Sequence, residues 1–169
     1  MPQSIGPPYR ELWRRDTPPV SARVQPIIAE GLVFLPCNDG ALYALSASTG
    51  QTAWSYPTEG ALVNSAAYAD GGVFFGSTDH FVYAVNTDGT LAWRYETGST
   101  VKTAPAVAEG KVFVGASDGY MYALDQETGM LMWRSGIGAP IYDSAAYDNG
   151  KVFFGGMDST GYALDGVTG

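Results

Sequence analysis

The chain has 169 residues, with nine basic against 17 acidic side chains and a formal net charge of -8 at neutral pH. That balance argues against a nucleic acid or an anionic membrane surface as partner, since both select clustered Lys and Arg. Cys37 is the one cysteine, which excludes a disulfide within a single chain, and no run of about 18 apolar residues is present to span a membrane.

Residues 1–19 are rich in proline and arginine, with Pro7-Pro8 and Pro18-Pro19 flanking Glu11-Leu12-Trp13-Arg14, which reads as an outer strand without its predecessors. The start lacks the apolar core of a signal peptide. From residue 20 onward the chain repeats itself. Trp13, Trp54, Trp93 and Trp133 stand 41, 39 and 40 residues apart, and a period near 40 signals a repeat architecture. The units cover about 20–56, 61–95, 101–135 and 141–169, the last stopping before its tryptophan.

Each unit reads as four strands. The first is short and built of small residues, around Pro26 to Ala29, Ala66 to Ala69, Pro105 to Ala108 and Ala145 to Asp148. The second carries β-branched and aromatic runs such as Val112-Phe113-Val114, which favour strands at this length. Asp39-Gly40 and Asp118-Gly119 predict two-residue hairpin turns into the third strand, with His80 and Ser159 at the glycine position of the other two units. The tryptophan strand comes last and is expected outermost, its indole between neighbouring sheets and its N–H in need of an acceptor.

Successive apolar residues within the runs call for sheets covered on both faces. Four-stranded antiparallel sheets set radially meet that condition, so the expected fold is an all-β propeller. A second period of 79 residues, Trp133 minus Trp54 or Ser144 minus Ser65, pairs units one with three and two with four.

At the turn into the tryptophan strand the third unit reads ALDQETGMLMW, Ala123 to Trp133. It resembles the AxDxxTGxxxW signature of the pyrroloquinoline-quinone-type (PQQ-like) β-propeller repeat. Within it Asp125 can accept a turn N–H, Thr128 helps close the turn and Gly129 tolerates a left-handed backbone, with Gly50 and Gly89 as its counterparts. Ser46 and Asn86 stand in for the aspartate in the first two units.

The resemblance implies blades built for an eight-bladed ring, of which this chain holds four. Either the ring closes with four blades, or two chains share one ring as a homodimer, or the chain is part of a longer protein. In the first two cases residues 10 to 15 complete blade four, of the same chain or of a second one. Quinone-binding members of the wider family resemble dehydrogenases with adjacent cysteines in a strained disulfide, a bound calcium ion and a catalytic aspartate. With Cys37 alone that disulfide cannot form, so neither PQQ nor another cofactor is expected. The resemblance is closer to the non-catalytic branch, which includes the lipoprotein of the outer-membrane β-barrel assembly machinery and the sensor propellers of some membrane kinases. It implies a non-enzymatic scaffold for protein or peptide partners, in a family usually found outside the cytoplasm; the alternatives are a fragment of a PQQ-dependent quinoprotein oxidoreductase or the sensor propeller of a larger membrane kinase.

Candidate binding residues follow from variation on a repeated frame. Arg23, Asn64, Lys102, Thr103, Tyr142 and Asp143 precede the innermost strands and differ from unit to unit, as a polar mouth for an extended peptide or as solvated loop ends. Asp39, Asp79, Asp118 and Asp158 recur once per unit and are explained by stabilising their own turns. His80 is the single histidine, so a His-based metal site or catalytic triad would have no redundancy, and its place in a hairpin turn reads as a solvated turn residue rather than a catalyst. Cys37 is expected to be a small, partly buried thiol. No catalytic residue and no metal ligand is nominated.

Overall fold

The computed structural model describes residues 10–169, in which every regular element is a strand. The first blade contains β1 (Ile27–Ala29), β2 (Leu32–Pro36), β3 (Ala41–Ser46) and β4 (Thr52–Pro57). The second contains β5 (Ala67–Ala69), β6 (Gly72–Gly76), β7 (Phe81–Asn86) and β8 (Leu91–Glu96). The third contains β9 (Ala106–Ala108), β10 (Lys111–Gly115), β11 (Tyr120–Asp125) and β12 (Leu131–Gly136). The fourth has three strands, β13 (Ala146–Asp148), β14 (Lys151–Gly155) and β15 (Gly161–Asp165).

Within each sheet the strands lie in chain order and pair antiparallel, so the tryptophan strands are outermost, as the repeat predicts. The inner strands meet in series, β1 with β5, β5 with β9 and β9 with β13, which lines up the blades as an open arc of a propeller. Three apolar clusters fill the spaces between neighbouring blades. Strand β10 is buried at every position, the mark of a sheet sandwiched on both faces, whereas β14 alternates exposed and buried positions.

The register explains the pattern of residue sizes. Phe34, Ala44 and Trp54 face one another across β2, β3 and β4, as do Phe74, Ala84 and Trp93, and Phe113, Ala123 and Trp133. The central alanine leaves room for the two rings to meet over it, at centroid separations of 5.8, 5.8 and 6.0 Å. A bulge directly beyond each alanine skips Ala53, Ala92 or Met132.

Two expectations need correction. The two-residue turns join the first and second strands, at Glu30-Gly31, Asp70-Gly71, Glu109-Gly110 and Asn149-Gly150, where both central residues have positive φ. The connection at Asp39-Gly40 instead runs from Cys37 to Gly40, closed by Cys37 N–H to Ala41 O and Gly40 N–H to Cys37 O, and Gly40 alone carries the positive φ. The aspartate side chain accepts the Ala41 N–H and does the work that a second left-handed residue would otherwise do.

The described part of the leading segment, from residue 10, forms no strand and does not complete blade four within this chain. Trp13 lies instead on blade one, its indole N–H donating to Ala47 O. The segment before residue 10, including Pro7-Pro8, lies outside the described residues.

Candidate functional site: the strand-entry mouth and the blade rim

Each indole is fixed by the blade that follows its own. Trp54 Nε1 donates to Thr87 O, Trp93 Nε1 to Gln126 O and Trp133 Nε1 to Gly166 O, at 2.8, 2.9 and 3.3 Å. The rings press on Gly89, Gly129 and Gly169, where an added Cβ would stand within 2.8 Å of ring carbon. Trp13 does the same to blade one, donating to Ala47 O at 2.8 Å and covering Gly50. Asp125 holds the turn beneath the Trp93 ring, its Oδ1 accepting the N–H groups of Glu127 and Thr128 and the Thr128 hydroxyl. These bonds lower its carboxyl below the ordinary value, the Thr128 hydroxyl contributing most.

With that frame fixed, the residues ahead of the inner strands gather at one end of the sheets. Asn64 Nδ2 donates to Lys102 O at 3.0 Å, and its Oδ1 accepts the Ser65 N–H. Lys102 Nζ stands 5.3 Å from the centroid of the Tyr142 ring, a cation–π contact between adjoining blades. Arg23 is exposed, and its carbonyl accepts from Ser65 Oγ. Asp143 is exposed and leans over Gly155. Thr103 turns inward and is buried, its hydroxyl donating to Gly115 O at 2.9 Å and accepting the Gly115 N–H at 3.2 Å. The structure therefore brings Asn64, Lys102 and Tyr142 together, leaves Arg23 and Asp143 open to solvent and commits Thr103 to the frame.

The recurring aspartates clamp the same end. Asp39, Asp79, Asp118 and Asp158 each accept the hydroxyl of the tyrosine four residues on, Tyr43, Tyr83, Tyr122 and Tyr162. Asp79 also accepts the Glu59 N–H, and Asp118 the Gly98 N–H, so both tie the incoming connection of the preceding blade. Burial, then the bond to Asp118, pushes Tyr122 up to about 12, and the same causes raise Tyr83 further. A D-x-x-x-Y spacing in all four units carried this signal in the sequence. His80 has positive φ, and its carbonyl accepts from Thr97 N–H and Oγ1. Cys37 is wholly buried rather than partly so, and burial followed by the Asp39 charge raises its thiol to about 11. Among the described residues no group of three His, Cys, Asp or Glu side chains is placed to hold a metal ion, and no helix is long and apolar enough to cross a membrane.

At the opposite end a cleft of about 500 Å³ opens between blades two and three. Gly72 stands where blades one, three and four carry Leu32, Lys111 and Lys151, and the Phe74 ring lies against it, 2.8 Å from where a Cβ would stand. Phe74 and Trp93 form its apolar floor, and Asp70, Asp125 and Glu127 its rim, with Gln126 Nε2 bonded to Asp70 at 3.0 Å. Sequence reading missed it, although a glycine at a position filled in every sister unit is the sign of it.

Solved structures with this architecture include BamB from Moraxella catarrhalis, 19% identical, matching 85% of this chain and 46% of that one with a TM-score of 0.75. The computationally designed Ika4 protein is 20% identical over 93% of this chain and 98% of its own, with a TM-score of 0.82. The quinohemoprotein alcohol dehydrogenase ADHIIG of Pseudomonas putida HK5 is 23% identical over 87% of this chain and 33% of its own, at 0.77. The chain thus spans about half the length of the Moraxella protein. No curated protein sequence matches it. A family model described as outer membrane protein assembly factor BamB matches residues 8–103 and again 98–169, and by that match the chain belongs to the BamB family of PQQ-like β-propellers.

Proposed function

We propose that the chain is a non-enzymatic propeller scaffold that binds protein or peptide partners through its strand-entry mouth and its rim. The observation that carries this reading is the contrast between a frame repeated in every blade and an unrepeated polar set at one end of it, Arg23 and Asp143 exposed and Asn64, Lys102 and Tyr142 half-buried. An extended peptide would find backbone acceptors and donors there, a cation at Lys102 and an aromatic face at Tyr142. The rim cleft at Gly72 adds an apolar floor edged by carboxylates, suited to a basic or aromatic side chain of a protein partner. A second copy of this chain is one such protein partner, completing an eight-bladed ring. A sensor propeller of a larger protein would use the same surfaces.

The alternative is a fragment of a quinoprotein oxidoreductase whose catalytic residues lie in other blades, and the residues of these four blades lend it no support. Cys37 is single and buried, and Asp39, Asp79, Asp118 and Asp158 are engaged in turns and tyrosine clamps. The test is selection of displayed random peptides on the immobilised chain. Enriched peptides whose binding falls at least tenfold in Lys102→Ala with Tyr142→Ala, or in Gly72→Leu, support the reading. Absence of enrichment, or peptides indifferent to both variants, overturns it.

A further inference from the structure

The seam between blades two and three is built differently from its neighbours. Tyr68 on β5 packs into the cluster between blades one and two, and Tyr147 on β13 stacks on Phe113 between blades three and four, at 5.3 Å between centroids. Val107 holds the same register on β9, paired with Val112 as Tyr68 is with Val73 and Tyr147 with Val152. Between blades one and two, Glu30 accepts the Tyr68 hydroxyl at 2.6 Å. Asp70 takes the place of Glu30 in the next blade, where Val107 has no hydroxyl to offer it. A smaller side chain and an unmatched carboxylate thus coincide at the seam where the cleft of about 500 Å³ opens.

Two features of the cleft select its occupant. The floor is apolar, with Phe74, Ala84, Ala92 and Trp93, and the banks are acidic, Asp70 on blade two and Asp125 with Glu127 on blade three. Among the described residues the one ion pair joins Arg14 to Glu11, so no lysine or arginine answers these three carboxylates. Asp125 receives its turn bonds on Oδ1, which leaves Oδ2 open, and Asp70 accepts a single bond, from Gln126 Nε2. A wholly apolar occupant would strip water from the carboxylates and give nothing back. Among the described residues no three acidic groups are placed to hold a metal ion. An arginine side chain matches both features, with an apolar stem for the floor and five N–H donors for the banks.

We infer that the cleft between blades two and three receives an arginine side chain of a partner protein, its stem over Phe74 and Ala92 and its guanidinium between Asp70 and the Asp125–Glu127 turn. This rests on the scaffold reading and names the residue that one of its two surfaces takes. Gln126 Nε2, bonded to Asp70 at 3.0 Å, already joins the two banks through a planar N–H group, and a guanidinium can do the same with more donors. An ammonium is a compact, strongly hydrated charge and fits a flat aromatic floor less well. The lip points to a protein rather than a free amine. Leu91, next to Ala92, is 43% exposed, and Met130, whose carbonyl accepts the Asp125 N–H, is 70% exposed. A small cation would leave both in water, whereas a polypeptide carrying the arginine covers them.

The test titrates the whole chain with the peptide acetyl-Gly-Leu-Arg-Leu-Gly-amide and follows the Trp93 indole and the Gly72 and Gln126 amides by nuclear magnetic resonance. Saturable shifts at these groups are expected, with affinity lower by about tenfold in Asp70→Asn with Glu127→Gln. Neither carboxylate accepts a main-chain bond among the described residues, so this variant keeps its turns, and unchanged amide positions in blade four check that. The same peptide with citrulline, the neutral isostere of arginine, is expected not to bind, and its lysine counterpart and free arginine amide to bind more weakly. Absence of shifts at the seam, equal binding of the citrulline or lysine peptide, or indifference to the variant would overturn the inference. So would arginine amide binding as tightly as the peptide, the mark of a site for a free organic cation. Selected peptides that depend on Lys102 and Tyr142 yet ignore Asp70 and Glu127 leave the scaffold reading standing and this inference overturned, whereas no enriched peptide at all removes the reading beneath it.

Discussion

The indole of Trp93 rests directly on the backbone of Gly129, where an added Cβ would stand 2.5 Å from Cδ2 of the ring. Gly129 also holds a φ of 71°, a left-handed backbone that side chains resist. Gly129→Ala combines that strain with a collision between blades two and three. It is expected to lower stability by about 2–4 kcal/mol, the sum of left-handed strain and overpacking. Urea unfolding checks this, and the control Gly110→Ala, with positive φ but open space around its Cβ, isolates the backbone share.

Asp118 accepts three hydrogen bonds, from Tyr122 Oη, Gly98 N–H and Tyr120 N–H. Asp118→Ala removes the acceptor of the Tyr122 hydroxyl and the Tyr120 N–H, while the Gly98 N–H keeps a 3.3 Å bond to Tyr122 Oη, and is expected to cost about 3 kcal/mol, against about 1.5 for Tyr122→Phe. Because the two residues bond each other, the double variant should cost less than the sum, by about 1 kcal/mol in a double-mutant cycle.

Alkaline solution should weaken the fold through the same clamps. The Cys37 thiol keeps its proton to about pH 11 in the folded chain and to about 9 when released, and Tyr122 keeps its own to about 12 against 10. Between those values the folded state binds more protons than the unfolded state, so stability is intact below pH 9 and falls as the pH rises past it. Unfolding midpoints measured from pH 8 to 11 check the direction, and Tyr122→Phe should flatten the upper part. Alkylation of Cys37 at pH 8 should be slow in the native chain and fast in denaturant, because the residue is wholly buried.

Acid should act through the turn carboxylates. Asp88, Asp125, Asp158 and Asp165 are all held below their ordinary value by hydrogen bonds to hydroxyls or turn N–H groups, Thr90, Thr128, Tyr162 and Thr168 supplying the largest contribution to each. Their contribution is present above pH 3.8 and is lost as the pH falls below it. All four are surface groups, so a shallow loss is expected, and Asp125→Asn should reduce its slope in acid titrations followed by tryptophan fluorescence.

Much of the frame was legible because its causes are local. Short runs of small residues placed the inner strands within a residue of β1, β5, β9 and β13, and the spacing of Trp54, Trp93 and Trp133 placed the outer ones. The turn at Asp39-Gly40 was misjudged because an aspartate side chain can replace a left-handed residue by accepting the Ala41 N–H, and the dipeptide looks alike in both turns. Thr103 read as a mouth residue, since polarity alone does not say that a hydroxyl faces inward to Gly115. The Asp118–Tyr122 clamp and the Gly72 cleft depend on comparing blades position by position, which composition and motif matching do not do.

Every indole reaches forward along the chain and none reaches back, so the arc has a direction. Blade four rests on a neighbour's ring without giving one in return, and amide exchange in an isolated chain should begin at β15 and proceed toward β1.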